Sequence, residues 1–207
     1  MLPESSTRKR PSGPTTRVDP VSCTRAGPWA LNPAGKGPVL VDGDFVLTES
    51  AAIVLYLAER FPDSGLLPAG LEERAQVYRW VMFAMTELEQ PLWRIAKHSF
   101  LLPEDRRLPQ DIPLASEDFL AMARVLDRHM EGRTFIVGDR ISAADCVTAY
   151  LMDWANELHL ADGFPNLRAY LDRMYARAAA PQRIAEAFAS VQAADGTGAG
   201  LPVRQPA

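Results

Sequence analysis

Two apolar runs, Val39-Leu40-Val41 and Phe45-Val46-Leu47, flank a polar break that opens with Asp42-Gly43. That pattern predicts a tight β-hairpin, because glycine takes positive φ at little cost. Ser50 then opens a predicted helix whose apolar residues Ile53, Leu57 and Phe61 recur every four positions, one helical stripe, before Pro62 stops it. From Leu71 onward the spacing is helical almost to the end. Tyr78, Val81, Met85, Leu88, Leu92 and Ile95 step by threes and fours, which predicts one long amphipathic helix with a kink at Pro91. The proline-punctuated stretch from Leu101 to Pro113 reads as a loop, and Ser116 as the cap of the next helix, with Glu117 and Asp118 in its first turn. The inner face of that helix is predicted to be Phe119, Met122, Ala123, Leu126 and Met130.

The sharpest local signal is Ser142-Ala143-Ala144-Asp145. Serine at the cap and an acid three residues on make a capping box, each side chain satisfying backbone donors at the helix start. Asp145 therefore reads as structural, and Cys146 as a small core residue rather than a nucleophile. Tyr150, Leu151, Trp154 and Leu158 are predicted to continue one face of this helix. A further helix is expected over Pro165–Arg177, with Leu167, Tyr170, Leu171 and Met174 inward, and a short one over Arg183–Ala189. The methionine and aromatic stripes read as core, not as a cofactor box. The pattern thus predicts an α+β chain, a β-hairpin plus helix followed by an all-helical domain.

Composition narrows the function. The 207 residues carry a formal net charge of −4, so the whole chain gives no electrostatic support for nucleic-acid binding. No run of ~18 apolar residues is present, which argues against a membrane span. Cys23 and Cys146 lie far apart, and His98, His129 and His159 are isolated, so neither a disulfide scaffold nor a metal site is expected. The first 28 residues hold five prolines, and five basic residues face only Glu4 and Asp19. That stretch offers no periodic apolar face and reads as disordered, as does the Gly- and Pro-rich end.

Asn32-Pro33-Ala34-Gly35-Lys36-Gly37-Pro38-Val39-Leu40, Leu47-Thr48-Glu49-Ser50-Ala51-Ala52-Ile53 and Tyr56-Leu57-Ala58-Glu59-Arg60-Phe61-Pro62 carry a resemblance, in order and spacing, to the glutathione S-transferase family of the bacterial cytosolic type. Leu66-Leu67-Pro68, the Ser142 box and Phe164-Pro165-Asn166-Leu167 extend it. The resemblance covers about 30–190. It implies a segment outside the family over 1–29, part of a thioredoxin-like glutathione-binding domain over 30–68, an all-helical bundle domain over 69–190 and a flexible tail over 191–207.

By that resemblance Ser50 holds the γ-glutamyl carboxylate of glutathione and Glu49 its amino group. Gly37, before a cis Pro38, pairs through its backbone with the cysteinyl residue, and Lys36 meets the glycyl carboxylate. A hydroxyl and backbone N–H at a helix start suit a carboxylate, and backbone pairing is strand addition to a peptide ligand. Glutathione is then a co-substrate, with no other cofactor and no metal. The further partners implied are a small hydrophobic electrophile and a second copy of the chain in a cytoplasmic homodimer, with no nucleic acid and no membrane. Tyr78, Met82 and Trp93 are conceivable residues of the electrophile's wall, with core packing the better reading of each. Gly35-Lys36 is not a phosphate loop, since Ala30 stands where its first glycine is needed and Gly37 where Ser or Thr belongs.

Two departures bear on activity. Family members usually carry Val or Ile where Gly37 stands, so the loop is expected to be looser here. The strand–helix–strand that precedes the Asn-Pro motif in the family needs ~30 residues or more, and none is recognisable ahead of Asn32. No thiol-activating residue is therefore assigned: Ser5, Ser6, Ser22 and Cys23 have no apolar strand before them. The expectation is a homologue that conjugates the glutathione thiolate to an electrophile. Its alternatives are a non-catalytic glutathione-binding or dimerisation module, or a truncated or frame-shifted transferase.

Overall fold

The computed structural model describes residues 31–195. The chain divides into two compact units, residues 1–53 and 54–207. The expectations for 1–29 and for the tail beyond 195 lie outside the described residues.

In the first unit β1 (Val39–Asp42) pairs antiparallel with β2 (Phe45–Thr48), Asp42 opposite Phe45 and Val39 opposite Thr48. Asp42 thus closes the ladder, and the turn residues are Gly43-Asp44, one place further on than the Asp-Gly pair suggested. Gly43 has φ +63°, a left-handed value that favours glycine, at the first of the two turn positions. Val39 and Leu40 are buried. Glu49 leads into α1 (Ser50–Arg60), which Pro62 ends as predicted by starting a short 3-10 turn, Pro62–Ser64. Ile53 is buried, but Phe61 is exposed, because the helix stops one residue before it.

The second unit is helical. α2 (Leu71–Phe83) and α3 (Glu89–Ala96) together make the predicted long helix, joined by a π turn over Ala84–Leu88. Pro91 explains that turn. Lacking an N–H, it cannot bond the carbonyl four residues back, and its ring crowds that carbonyl. The ladder widens just before it, Glu89 N–H donating to Ala84 O, and the Gln90 side chain donates to Met85 O at 3.4 Å. The buried face is Val77, Trp80, Val81, Ala84, Leu88, Leu92 and Ile95, which keeps Val81, Leu88, Leu92 and Ile95 of the predicted stripe but leaves Met85 half-buried and Tyr78 exposed.

A second π turn, Lys97–Leu101, follows α3. α4 (Asp111–His129) starts five residues before the expected cap. Pro113 sits in its first turn, where proline is tolerated, and Ser116 bonds back to Ile112 O at 2.9 Å instead of capping. Phe119, Ala123, Leu126 and Met130 are buried as predicted.

α5 (Ala143–Glu157) begins at the capping box. It packs against α2, α3, α6 (Pro165–Tyr175) and α7 (Ile184–Asp195). Surrounded in this way, it buries residues on all sides, Asp145, Thr148, Leu151, Met152 and Asp153 among them, while Tyr150 is exposed. The single-face reading of this helix fails for that reason. Leu167, Tyr170, Leu171 and Met174 of α6 are buried as expected. α7 runs to Asp195, past the Ala189 end that was predicted. Among the described residues no helix is long and apolar enough to cross a membrane.

Candidate functional site

The sequence-predicted glutathione residues all lie in the first unit, in the loop before β1 and at the turn between β2 and α1. Asn32, buried, organises the loop. Its Nδ2 donates to Lys36 O at 2.5 Å, its Oδ1 accepts Ala34 N–H at 3.0 Å, and its own carbonyl accepts Gly35 N–H at 2.8 Å. Asn32→Ala is expected to cost about 1–2 kcal/mol, since it strips two bonds from a buried turn, and to speed amide exchange of Ala34, whose N–H loses its acceptor. Hydrogen-exchange NMR checks it. Lys36, Gly37 and Pro38 follow, all exposed, with a cis peptide between Gly37 and Pro38 as the resemblance implied. No described atom lies within 4 Å of where a Cβ on Gly37 would sit. Neither its N–H nor its C=O is hydrogen-bonded to another described residue; backbone groups of this kind are what strand addition of an extended peptide uses.

At the other end of the hairpin Glu49 has φ +72°, in the left-handed region where residues other than glycine are uncommon. This residue turns the chain sharply from β2 into α1. Its carbonyl accepts Ile53 N–H at 2.9 Å and begins the helical ladder. The N–H groups of Ser50, Ala51 and Ala52 therefore have no acceptor inside the helix. No acidic side chain occupies the first turn itself, the nearest in sequence being Glu49 just before it, and the positive end of a helix favours an anion. Ser50, half-buried, is the first residue of the helix and brings a hydroxyl to this end. The arrangement suits a carboxylate, with Glu49 one residue away to meet an ammonium.

The part Asn32 plays in the loop goes beyond what the Asn-Pro motif alone implies. An asparagine three residues ahead of a glycine was the available signal, being turn chemistry. The left-handed Glu49 had no signal in the sequence.

In the helical unit the described residues enclose an open cavity of about 470 Å³, with Trp93, Phe100, Tyr150, Trp154, Glu157 and Phe188 among its walls. Trp93 is among the walls of this cavity, and Tyr78 and Met82 are not; all three are exposed rather than packed in the core. Tyr78 instead donates to Glu59 Oε1 at 3.1 Å, beside Arg74 on the same carboxylate. Cys146 is half-buried, and burial together with the Asp145 charge pushes its thiol up, away from thiolate chemistry. Ser5, Ser6, Ser22 and Cys23 lie outside the described residues. Among those described, no cluster of three or more His, Cys, Asp or Glu is placed to hold a metal.

Relatives of known family share this chain's sequence. The family model for "Glutathione S-transferase, N-terminal domain" matches residues 17–65, and that for "Glutathione S-transferase, C-terminal domain" matches 91–178. Glutathione S-transferase F10 of Arabidopsis thaliana is 33% identical over 159 residues, 72% of this chain and 74% of the relative.

The chain belongs to the glutathione S-transferase family.

Glutathione S-transferase GST-4.5 of Xanthomonas campestris pv. campestris is 30% identical over 165 residues, 79% of this chain and 81% of its own. Among solved structures, Ure2p5 from Phanerochaete chrysosporium, cocrystallised with 1-(S-glutathionyl)-2,4-dinitrobenzene, superposes with a TM-score of 0.69. It covers 83% of this chain and 82% of its own, and at 22% identity it bears on the fold alone. The α+β reading, a thioredoxin-like hairpin and helix followed by an all-helical transferase domain, holds. Membership in this family supports glutathione transferase function in general terms.

Proposed function

We propose that this transferase-family chain binds glutathione at the β2–α1 turn and conjugates its sulfur to a small hydrophobic electrophile. The observation that carries the reading is the helix start. Ser50 and three N–H groups without helical acceptors stand at the positive end of α1, directly after a left-handed Glu49. In the reading, Ser50 and those donors hold the γ-glutamyl carboxylate and Glu49 pairs with the ammonium. Gly37 offers N–H and C=O to the cysteinyl backbone, and Lys36 meets the glycyl carboxylate. Binding of this kind fixes the thiol in place, which removes much of the entropic cost of bringing sulfur and electrophile together. The thiol gives its proton to solvent, the sulfur forms a bond to the electrophilic carbon, and the leaving group departs with its electron pair. The family resemblance further supports a cytoplasmic homodimer and a division of the chain near residue 68, ahead of an all-helical part over 69–190.

The test is turnover of glutathione with 1-chloro-2,4-dinitrobenzene, followed through the thioether product. A rate that is proportional to protein and saturates in glutathione is expected. Saturable glutathione binding without turnover would replace the reading by that of a non-catalytic glutathione-binding module, and absence of both would overturn it.

A further inference from the structure

We propose that His98 is a pH-sensitive latch on the loop between α3 and α4: neutral, it holds the loop at Leu108, and protonated, it releases the loop and turns to Asp111. Every group involved lies in the helical unit, so the inference does not depend on glutathione binding.

The loop, residues 102–110, is tied back to the π turn Lys97–Leu101 by two side chains of different character. Arg107 donates to Phe100 O at 3.2 Å and to Leu102 O at 2.7 Å. The Leu108 N–H donates to His98 Nδ1 at 3.2 Å. Arginine keeps its charge and its donors at any pH at which a protein stays folded. Histidine changes charge between about pH 5 and pH 8. Of the two ties, only the one through His98 can be undone by a proton.

The geometry decides which ring nitrogen is involved. A nitrogen that accepts an N–H carries no proton, so Nδ1 is bare and Nε2 bears the hydrogen. Nε2 faces Asp111 Oδ2 at 3.6 Å. The ring thus stands between a backbone donor and a carboxylate. Protonation places a hydrogen on Nδ1, where it meets the Leu108 N–H donor to donor, and that bond is lost. The same proton puts a positive charge beside Asp111 and strengthens the contact on that side. One side chain exchanges the loop for the start of α4.

The surrounding charges favour the exchange. Asp111, the first residue of α4, accepts Arg94 Nε from α3 at 3.0 Å and Arg94 Nη2 on its other oxygen, while Arg94 Nη1 holds Asp118. Two carboxylates against one guanidinium leave a negative charge beside the ring. The hydrogen bonds from Arg94 hold the Asp111 carboxyl below its ordinary value, against the effect of burial. It therefore stays an anion while histidine titrates. The other charged side chains of these segments, Lys97, Glu104, Asp105 and Arg106, are exposed. Leu108 is exposed too, so water takes up its freed N–H and opening stays local.

The experiment is NMR of the full ¹⁵N-labelled chain between about pH 8 and pH 5. At the upper end a coupling across the hydrogen bond is expected between the Leu108 amide nitrogen and His98 Nδ1. It should vanish in step with protonation of the His98 ring, followed through the ring's own nitrogen shifts. The protection factor of the Leu108 amide, which removes the intrinsic pH dependence of exchange, should fall about fivefold, the scale of one net hydrogen bond. That of Phe119, buried in α4, should persist. His98→Gln supplies an amide oxygen that accepts at every pH, and should make the Leu108 protection independent of pH. A coupling or protection that survives protonation of the ring would overturn the proposal. So would the same acid loss in His98→Gln, or no coupling at the upper end in folded wild-type protein.

Discussion

Asp145→Ala is expected to destabilise the helical unit by about 3–5 kcal/mol, the cost of leaving buried donors without an acceptor. The carboxylate is fully buried and takes four donors. Ile136 N–H reaches Oδ1 at 2.9 Å, Ser142 N–H and Ser142 Oγ reach Oδ2 at 2.8 Å, and Tyr170 OH reaches Oδ1 at 3.2 Å. One side chain therefore ties the start of α5 to the preceding loop and to α6. Alanine takes this acceptor from two buried backbone N–H groups and the Ser142 hydroxyl, while the Tyr170 phenol keeps the backbone carbonyl of residue 145 at 3.3 Å. For a chain of this size that loss lowers the midpoint of thermal unfolding by roughly 10 °C or more, and calorimetry reads it directly. Asp145→Asn keeps one acceptor oxygen and should lose less. The pH dependence has an unusual sign. Burial raises this carboxyl above its ordinary value, against the pull of its hydrogen bonds. The folded state thus takes up the proton before the unfolded state does, and this group alone makes the fold more stable as pH falls through the raised value.

The second large effect is expected at Asp153, where alanine should release α7. Asp153 is fully buried in the middle of α5, and its Oδ2 accepts the N–H of Ile184, the first residue of α7, at 2.8 Å. Its Oδ1 makes no hydrogen bond and faces Arg183 Nε at 3.8 Å, while Arg183 lies over the Tyr175 ring at 5.0 Å. A buried acid thus caps a helix that follows it by thirty residues in the chain. Asp153→Ala should cost about 2 kcal/mol, the charged bond to Ile184 offset in part by relief of a buried charge. Its distinctive mark is local: amide protection across the first turns of α7 falls while that of α5 persists. Asp153→Asn keeps an acceptor for Ile184 and should retain the protection. Equal loss of protection in both helices would mean that Asp153 supports the whole unit instead.

What was legible in the sequence was local. The Ser142–Asp145 box could be read because its chemistry spans three residues, and the hairpin because Gly43 announces its turn. The inner face of α6 was legible because that helix buries one stripe. α5 is surrounded and follows no single stripe, so the spacing that puts Tyr150 inward fails and gives no place to the buried Asp153. The signal for Asp153 was an acid within the apolar run Leu151-Met152-Asp153-Trp154-Ala155. Pro113 reads as a breaker in the sequence, although a first turn admits proline. The π turns leave helical spacing nearly intact and so have no sequence signature. The cavity brings together Trp93, Tyr150, Trp154 and Phe188 from three helices, a convergence that exists only once the helices pack.

The candidate glutathione residues were named by family spacing, and the geometry adds the physical reason for two of them: Glu49 turns left-handed so that Ser50 and its neighbours offer free donors at the helix start. The most direct measurement is calorimetric titration of the full chain with glutathione and with cysteinylglycine, which lacks the γ-glutamyl group. Wild-type protein is expected to show one saturable site that prefers glutathione. Ser50→Ala and Glu49→Ala should each weaken glutathione by about tenfold, the scale of one hydrogen bond or ion pair to a charged group, and leave cysteinylglycine unchanged. No saturable heat from folded protein, or variants that bind glutathione as the wild type does, would contradict the account.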